Sequence, residues 1–256
     1  MSLIVRDKNF YKKVLAIAIP IALQNMVTSA VGMLDTIMLG QLGEVAMSAS
    51  SLANQVGFIF QMINFGLTGG AGILTSQYWG RGDSDSIRRV MSLTYRISMS
   101  VAVLFAIGAT FFPEMLMRIF TNDKELIRLG TSYLRIVSFS YFFMGISQMY
   151  LCIMKNTNRA LRSTLYSSSA VILNIIINAI LIFGLLGFPK LGIAGAAIAT
   201  TISRGVELAL ILFENVRQSD VRIRIKNILR PIAWLQKDYI HYTWPSLSNQ
   251  VIWGCG

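Results

Sequence analysis

The run VLAIAIPIALQNMVTSAVGMLDTIML, residues 14 to 39, holds a single charged side chain, Asp35, in 26 residues. An apolar run of that length can cross the roughly 30 Å hydrocarbon core of a bilayer as one helix. It is too long for the apolar stretch of a signal peptide and has no small-residue cleavage site, so it is read as a first span. At 100° per residue, Gln24, Thr28 and Asp35 fall within about 40° of one another, and Ile, Leu, Val and Met cover the other faces. One side of this helix is therefore expected to look into protein or water. A carboxylate at membrane depth costs about 2.5–3.5 kcal/mol on insertion scales and usually marks an ion or proton pathway. The bland alternative is a carboxylate near the helix end that reaches headgroup water, with Gly40 and Gly43 closing the helix. We prefer the pathway.

Outward from that run, the whole chain has the same character. Hydrophobic residues make up 54% and charged residues 14% of the 256, and the mean hydropathy is +0.57. Further uncharged or nearly uncharged runs follow within 45–80, 90–112, 129–154, 163–188 and 191–213, giving six spans in all. The second run, 36 residues without a charge, is long enough that a loop or interfacial turn is expected before Asn54. Cys152 and Cys255 both lie in apolar segments and suggest neither a disulfide framework nor a metal site. A net charge of +11 would suggest nucleic acid in a soluble chain, but here the bases sit in short loops, so the expected partner is the lipid bilayer and not nucleic acid. Sixteen Lys and Arg side chains fall on one side of the spans and four on the other, which predicts a multi-pass cell (inner) membrane protein with a cytoplasmic N-terminus. The stretch 214–238, basic with Ile, Leu and Trp interleaved, reads as a cytoplasmic amphipathic linker lying on anionic lipid.

Polar groups within the spans are grouped. Asn54, Gln61, Asn64 and Thr68 share one face of the second span, and Ser167, Asn174 and Asn178 share one face of the fifth. Gln24, Thr28, Asn54, Gln61 and Asn64 are candidates for lining a cavity, although amides that tie helix to helix explain any one of them as well. In the sixth span Arg204 and Glu207 are spaced to pair at i, i+3, a structural ion pair in preference to a transport role. Arg96 and Arg135 lie near the charged ends of their spans, where snorkelling to headgroups explains them. Gly66, Gly69, Gly70 and Gly72 permit close helix packing, and with no Lys-Ser/Thr following they form no phosphate loop.

Residues 16–31 superpose on 241–256, placing Pro20 on Pro245, Gln24 on Asn249 and Asn25 on Gln250. That short match falls where a seventh span would begin, as a parallel two-half transporter requires. The expected organisation is a six-helix lobe over 1–213, the linker over 214–238, and the start of a second lobe over 239–256, the rest of that lobe lying in the same or a second chain.

With these motifs in place, the chain resembles the MATE family, the multidrug and toxic compound extrusion transporters. The resemblance rests on IPIALQNMVTSAVGMLDTIMLGQLG around the first span, SQYWGRGD at 76–83, NIIIN at 174–178 and GAAIAT at 195–200. It implies an all-α, polytopic transmembrane bundle, the N-terminal lobe of a two-lobe transporter exporting drugs or other cationic or amphiphilic small molecules against Na⁺ or H⁺. It further implies a cation site with Asp35 as carboxylate, Asn174 and Asn178 as amide oxygens and Thr200 as a hydroxyl, with Na⁺ a candidate at Asp35, Asn174 and Asn178. Some members carry a carboxylate where this chain has Asn178. A single acid suits Na⁺ at least as well as a two-acid proton relay.

Two alternatives stay open, a flippase or exporter of lipid-linked saccharides from the same superfamily and a non-transporting receptor or assembly subunit. An enzyme is disfavoured: there is no Ser/His/Asp set, no P-loop, one histidine (His241), and no catalytic residue or cofactor is assigned.

Overall fold

The computed structural model describes residues 8–157, 159–217 and 233–255, and among them the regular elements are all helical. In order they are α1 (Lys8–Gly40), α2 (Glu44–Gly80), α3 (Ser84–Phe111), α4 (Pro113–Phe120), α5 (Lys124–Asn156), α6 (Ala160–Phe183), α7 (Ile193–Arg217) and α8 (Ala233–Cys255), with one 3₁₀ turn at Leu185–Gly187. Five of them, α2, α3, α5, α6 and α7, are long and apolar enough to cross a membrane. The first span of the sequence reading, 14–39, which carries Asp35, lies within α1.

Local chemistry sets the ends. Asp83 caps α3, its carboxylate accepting from the Ser86 N–H at 3.0 Å and the Ser86 hydroxyl at 2.6 Å. Asp123 caps α5 through the N–H groups of Glu125 and Leu126. Pro113 opens α4 in the first helical turn, where its missing N–H costs nothing. Gly184 closes α6 in the left-handed region, φ 73°, with its N–H on the Ile180 carbonyl.

The turn expected before Asn54 is absent. α2 runs unbroken for 37 residues, because a helix longer than the hydrocarbon core is free to extend beyond it, here from an N-terminal turn that begins at Glu44. Most of the predicted linker, 218–232, lies outside the described residues. Its flanks are helical, as the ends of α7 and the start of α8.

α5 is central and packs against α2, α3 and α7, while α6 joins α1 to α7 and α8 lies along α2. One core cluster gathers around Phe60, Phe105 and Tyr141, whose ring centroids are 5.2–6.2 Å apart. A second, around Met91, Met149, Leu151 and Leu235, fills the other end. The outer faces present Leu104, Phe111, Phe139, Leu165 and Ile176 more than half exposed, as a lipid-facing bundle requires. Arg135 is exposed, whereas Arg96 is half-buried with Nε and Nη2 lacking a partner among the described residues.

Candidate cation site

Helix periodicity turns the polar stripe of α6 inward: Ser167, Asn174 and Asn178 are all buried. α6 packs on α1, which brings Asp35 against this stripe. The Asn178 Nδ2 donates to Asp35 Oδ1 at 2.6 Å and lies 3.3 Å from Asn174 Oδ1. The first contact spans 143 positions of sequence and joins the one acid of α1 to the amides of α6.

Asp35 opens onto a cavity of about 230 Å³, shared with Thr28 of α1, Asn54 of α2, Tyr133 of α5, Asn174 of α6 and Thr200 of α7. Five helices thus contribute one oxygen-bearing side chain or more. Asn178 sits behind the wall, and its Oδ1 is buried without a partner among the described residues. A spare amide oxygen beside a carboxylate is a donor set that suits a hard cation or a proton. No group of three His, Cys, Asp or Glu side chains gathers anywhere among the described residues, so the site is one carboxylate plus neutral oxygens.

Two further groups tune the wall. The Tyr133 hydroxyl donates to Asn54 Oδ1 at 3.0 Å and also meets the Thr200 hydroxyl, tying α2, α5 and α7 together at the cavity. Arg204 reaches the cavity but is held by Glu207, Nη1 to Oε2 at 3.0 Å, with Glu207 only 1% exposed. This is the i, i+3 pair read from the sequence. Its charges cancel, leaving Asp35 as the net charge of the site.

Three residues expected on the cavity wall are not on it. Asn64 is buried and spent, its Oδ1 accepting from Ser98 Oγ at 2.6 Å and its Nδ2 donating to the Phe60 carbonyl, so it ties α2 to α3. Gln24 and Gln61 share a face with cavity residues but lie too far along their helices, roughly 16 Å from Asp35 and 10 Å from Asn54 by axial rise. Tyr133 was not anticipated, because a tyrosine in an apolar span reads as core. The second buried acid of α7, Glu214, was also missed: it is 3% exposed and accepts from Arg162 and Tyr166 of α6 at 2.9 Å each.

Comparison with known proteins places this geometry in context. Residues 20–180 match the family model MatE. The chain is 24% identical over 246 residues to the probable multidrug resistance protein NorM of Thermotoga maritima, covering 96% of this chain and 53% of that protein. It is 27% identical over 245 residues to the probable multidrug resistance protein NorM of Synechocystis, covering 94% of this chain and 50% of the other. It superposes with a TM-score of 0.83 on an outward-facing multidrug resistance MATE family transporter of the MOP superfamily, at 24% identity, over 94% of this chain and 52% of that one. The chain therefore spans about half the length of the relatives it matches.

Proposed function

The chain belongs to the MatE family, and from that premise we propose that it forms the first lobe of an antiporter that exports drugs or other cationic or amphiphilic molecules against Na⁺ or H⁺. The observation that carries this reading is the Asp35–Asn178 contact at the edge of a cavity built by five helices. The assignment of Asp35, Asn174, Asn178 and Thr200 to the ion follows from it, with Asn54, Thr28 and Tyr133 as the wall.

The site lies in the half of the bundle nearest the α1–α2 turn and the α6–α7 connection. With the N-terminus cytoplasmic, as the distribution of bases indicates, that half faces outward, in the cell (inner) membrane. A cation arriving from outside relieves the cost of an unpaired carboxylate in a low-dielectric setting. Loading then favours whichever packing of α1 against α6 holds the ion best, and coupling to substrate needs only that difference in affinity. Residues 1–213 would be one lobe and 214–238 the connection. Residues 239–256 would begin the second lobe, completed in the same or another chain.

The test uses the full gene product in proteoliposomes. An inward Na⁺ gradient at clamped pH, or a pH gradient without Na⁺, is expected to drive ethidium movement, and Asp35→Asn is expected to abolish the ion dependence. Asp35→Asn vesicles that move ethidium with unaltered ion dependence would remove the residue from this role. Movement indifferent to both gradients would end the antiporter reading.

A further inference from the structure

A second cavity of about 660 Å³ lies at the opposite end of the bundle, between the last turns of α2 and α5, α1 at Ile21, and α8 at Ser246 and Gln250. Ile21 and Asp35 are separated by roughly 21 Å along α1, so this is not an extension of the cation site.

Its wall is of two kinds. One part is internally satisfied: Ser76 Oγ donates to Asn156 Oδ1 at 3.1 Å, and Asn156 Nδ2 donates to the Cys152 carbonyl at 2.8 Å. The first bond ties the end of α2 to the end of α5, and the second, within α5, fixes the Asn156 amide that receives it. The other part is uncommitted. Gln77, Gln148, Ser246 and Gln250 line the space and have no hydrogen bond among the described residues. Lys155 stands among them, half-buried and outside every ion pair of the described residues. The acid whose field it feels, Glu207, is already bonded to Arg204. Ile21, Phe65 and Ile73 supply an apolar side to the same space.

An ammonium with neutral hydrogen-bonding neighbours and no carboxylate among the described lining residues repels a cation and offers a charge-assisted bond to an anion. We propose that this cavity is a binding site for the carboxylate or phosphate of an amphiphilic molecule, Lys155 taking the charge and Ile21, Phe65 and Ile73 the apolar body. The charged group comes from a soluble amphiphile or from a lipid headgroup. The two cavities then have opposite polarity toward opposite ends of α1 and α2. This inference stands whether or not Asp35 couples transport to an ion.

Fluorescence anisotropy of the full gene product in phosphatidylcholine nanodiscs tests it, with fluorescein as the anionic probe and rhodamine 123 as the cationic one. Lys155→Gln is expected to weaken fluorescein binding by about tenfold, the loss of one charge-assisted bond, and to leave rhodamine 123 unchanged. Lys155→Arg should retain most of the affinity, and Gln148→Leu should lose about threefold through a missing neutral donor. Asp35→Asn should leave fluorescein binding as it was, which separates this site from the coupling site. Displacement of fluorescein when phosphatidylglycerol replaces a third of the lipid identifies a headgroup as the occupant, and no displacement identifies a soluble amphiphile. Equal fluorescein affinity in wild type and Lys155→Gln, with equal melting temperatures, overturns the proposal. Should Lys155→Gln fail to fold, unchanged binding in Gln148→Leu does the same.

Discussion

The contact between Asp35 and Asn178 can be measured as an energy. At 2.6 Å its donor–acceptor distance is slightly shorter than the usual range for an N–H donor on an ionised carboxylate. Such a bond contributes about 1.5–3 kcal/mol, against about 0.5–1.5 for a neutral pair. Asn178→Leu keeps the volume but removes the amide from a position only 2% exposed, and Asp35→Asn keeps the shape but removes the charge. The double-mutant cycle over these changes should give a coupling of about 1–2 kcal/mol in the absence of coupling ion, read from reversible unfolding in mixed detergent micelles. Adding the coupling ion at about 100 times its dissociation constant should stabilise the wild type by about 2.7 kcal/mol, the Asn178→Leu variant by less, and Asp35→Asn not at all. A coupling below about 0.3 kcal/mol, within the scatter of independent sites, would refute the view that the amide holds the carboxylate.

The Arg204–Glu207 pair should respond asymmetrically. Arg204→Met strands a carboxylate that is 1% exposed and should cost about 3 kcal/mol, whereas Glu207→Gln leaves a guanidinium that can hydrate in the cavity and should cost about 1 kcal/mol or less, by the same unfolding measurement. Asp83, between α2 and α3, is held below the ordinary carboxylate range chiefly by the Ser86 hydroxyl and also by its N–H. A depressed group stabilises above its unfolded value, about 3.9, and loses that contribution as pH falls through its lower folded value. The protection factor of the Ser86 amide, the free-peptide exchange rate at the same pH divided by its own, should therefore fall on acidification below about pH 4 in the wild type, and Asp83→Asn should remove that dependence.

Much of this was legible in the sequence because membrane helices are written in long apolar runs and their inward faces in polar stripes. The stripes of α1 and α6 each pointed inward independently, and their packing brought Asp35 to Asn178. The sequence could not show how far along each helix a stripe meets its neighbours. Gln24 and Gln61 have the right azimuth and the wrong height, and Asn64 has a partner, Ser98, on a helix whose placement one strand of text does not reveal. Tyr133 joins the cavity only because Asn54 and Thr200 arrive from two other helices. Glu214 sits in a charge-rich stretch that reads as linker, yet its spacing of seven from Glu207, and Glu207's from Thr200, was a sign that one face of α7 continues inward to Glu214.

The joint between α2 and α8 has a mechanical consequence. A methyl group on Gly70 would lie 2.7 Å from the Thr243 Cα, and one on Gly66 2.9 Å from the Leu247 Cα, with the Thr243 hydroxyl and the Leu247 side chain closer still, so the glycines are what let α8 seat tightly on α2. Such a seam leaves little free space for α8 to shift alone, and a tilt of α8 is passed on to α2. α2 receives it as an unbroken rod of about 55 Å, with Asn54 near one end and Gln77 near the other. A single lever thus reaches both chambers, and widening one by rocking α2 about the seam swings the far arm of the same rod.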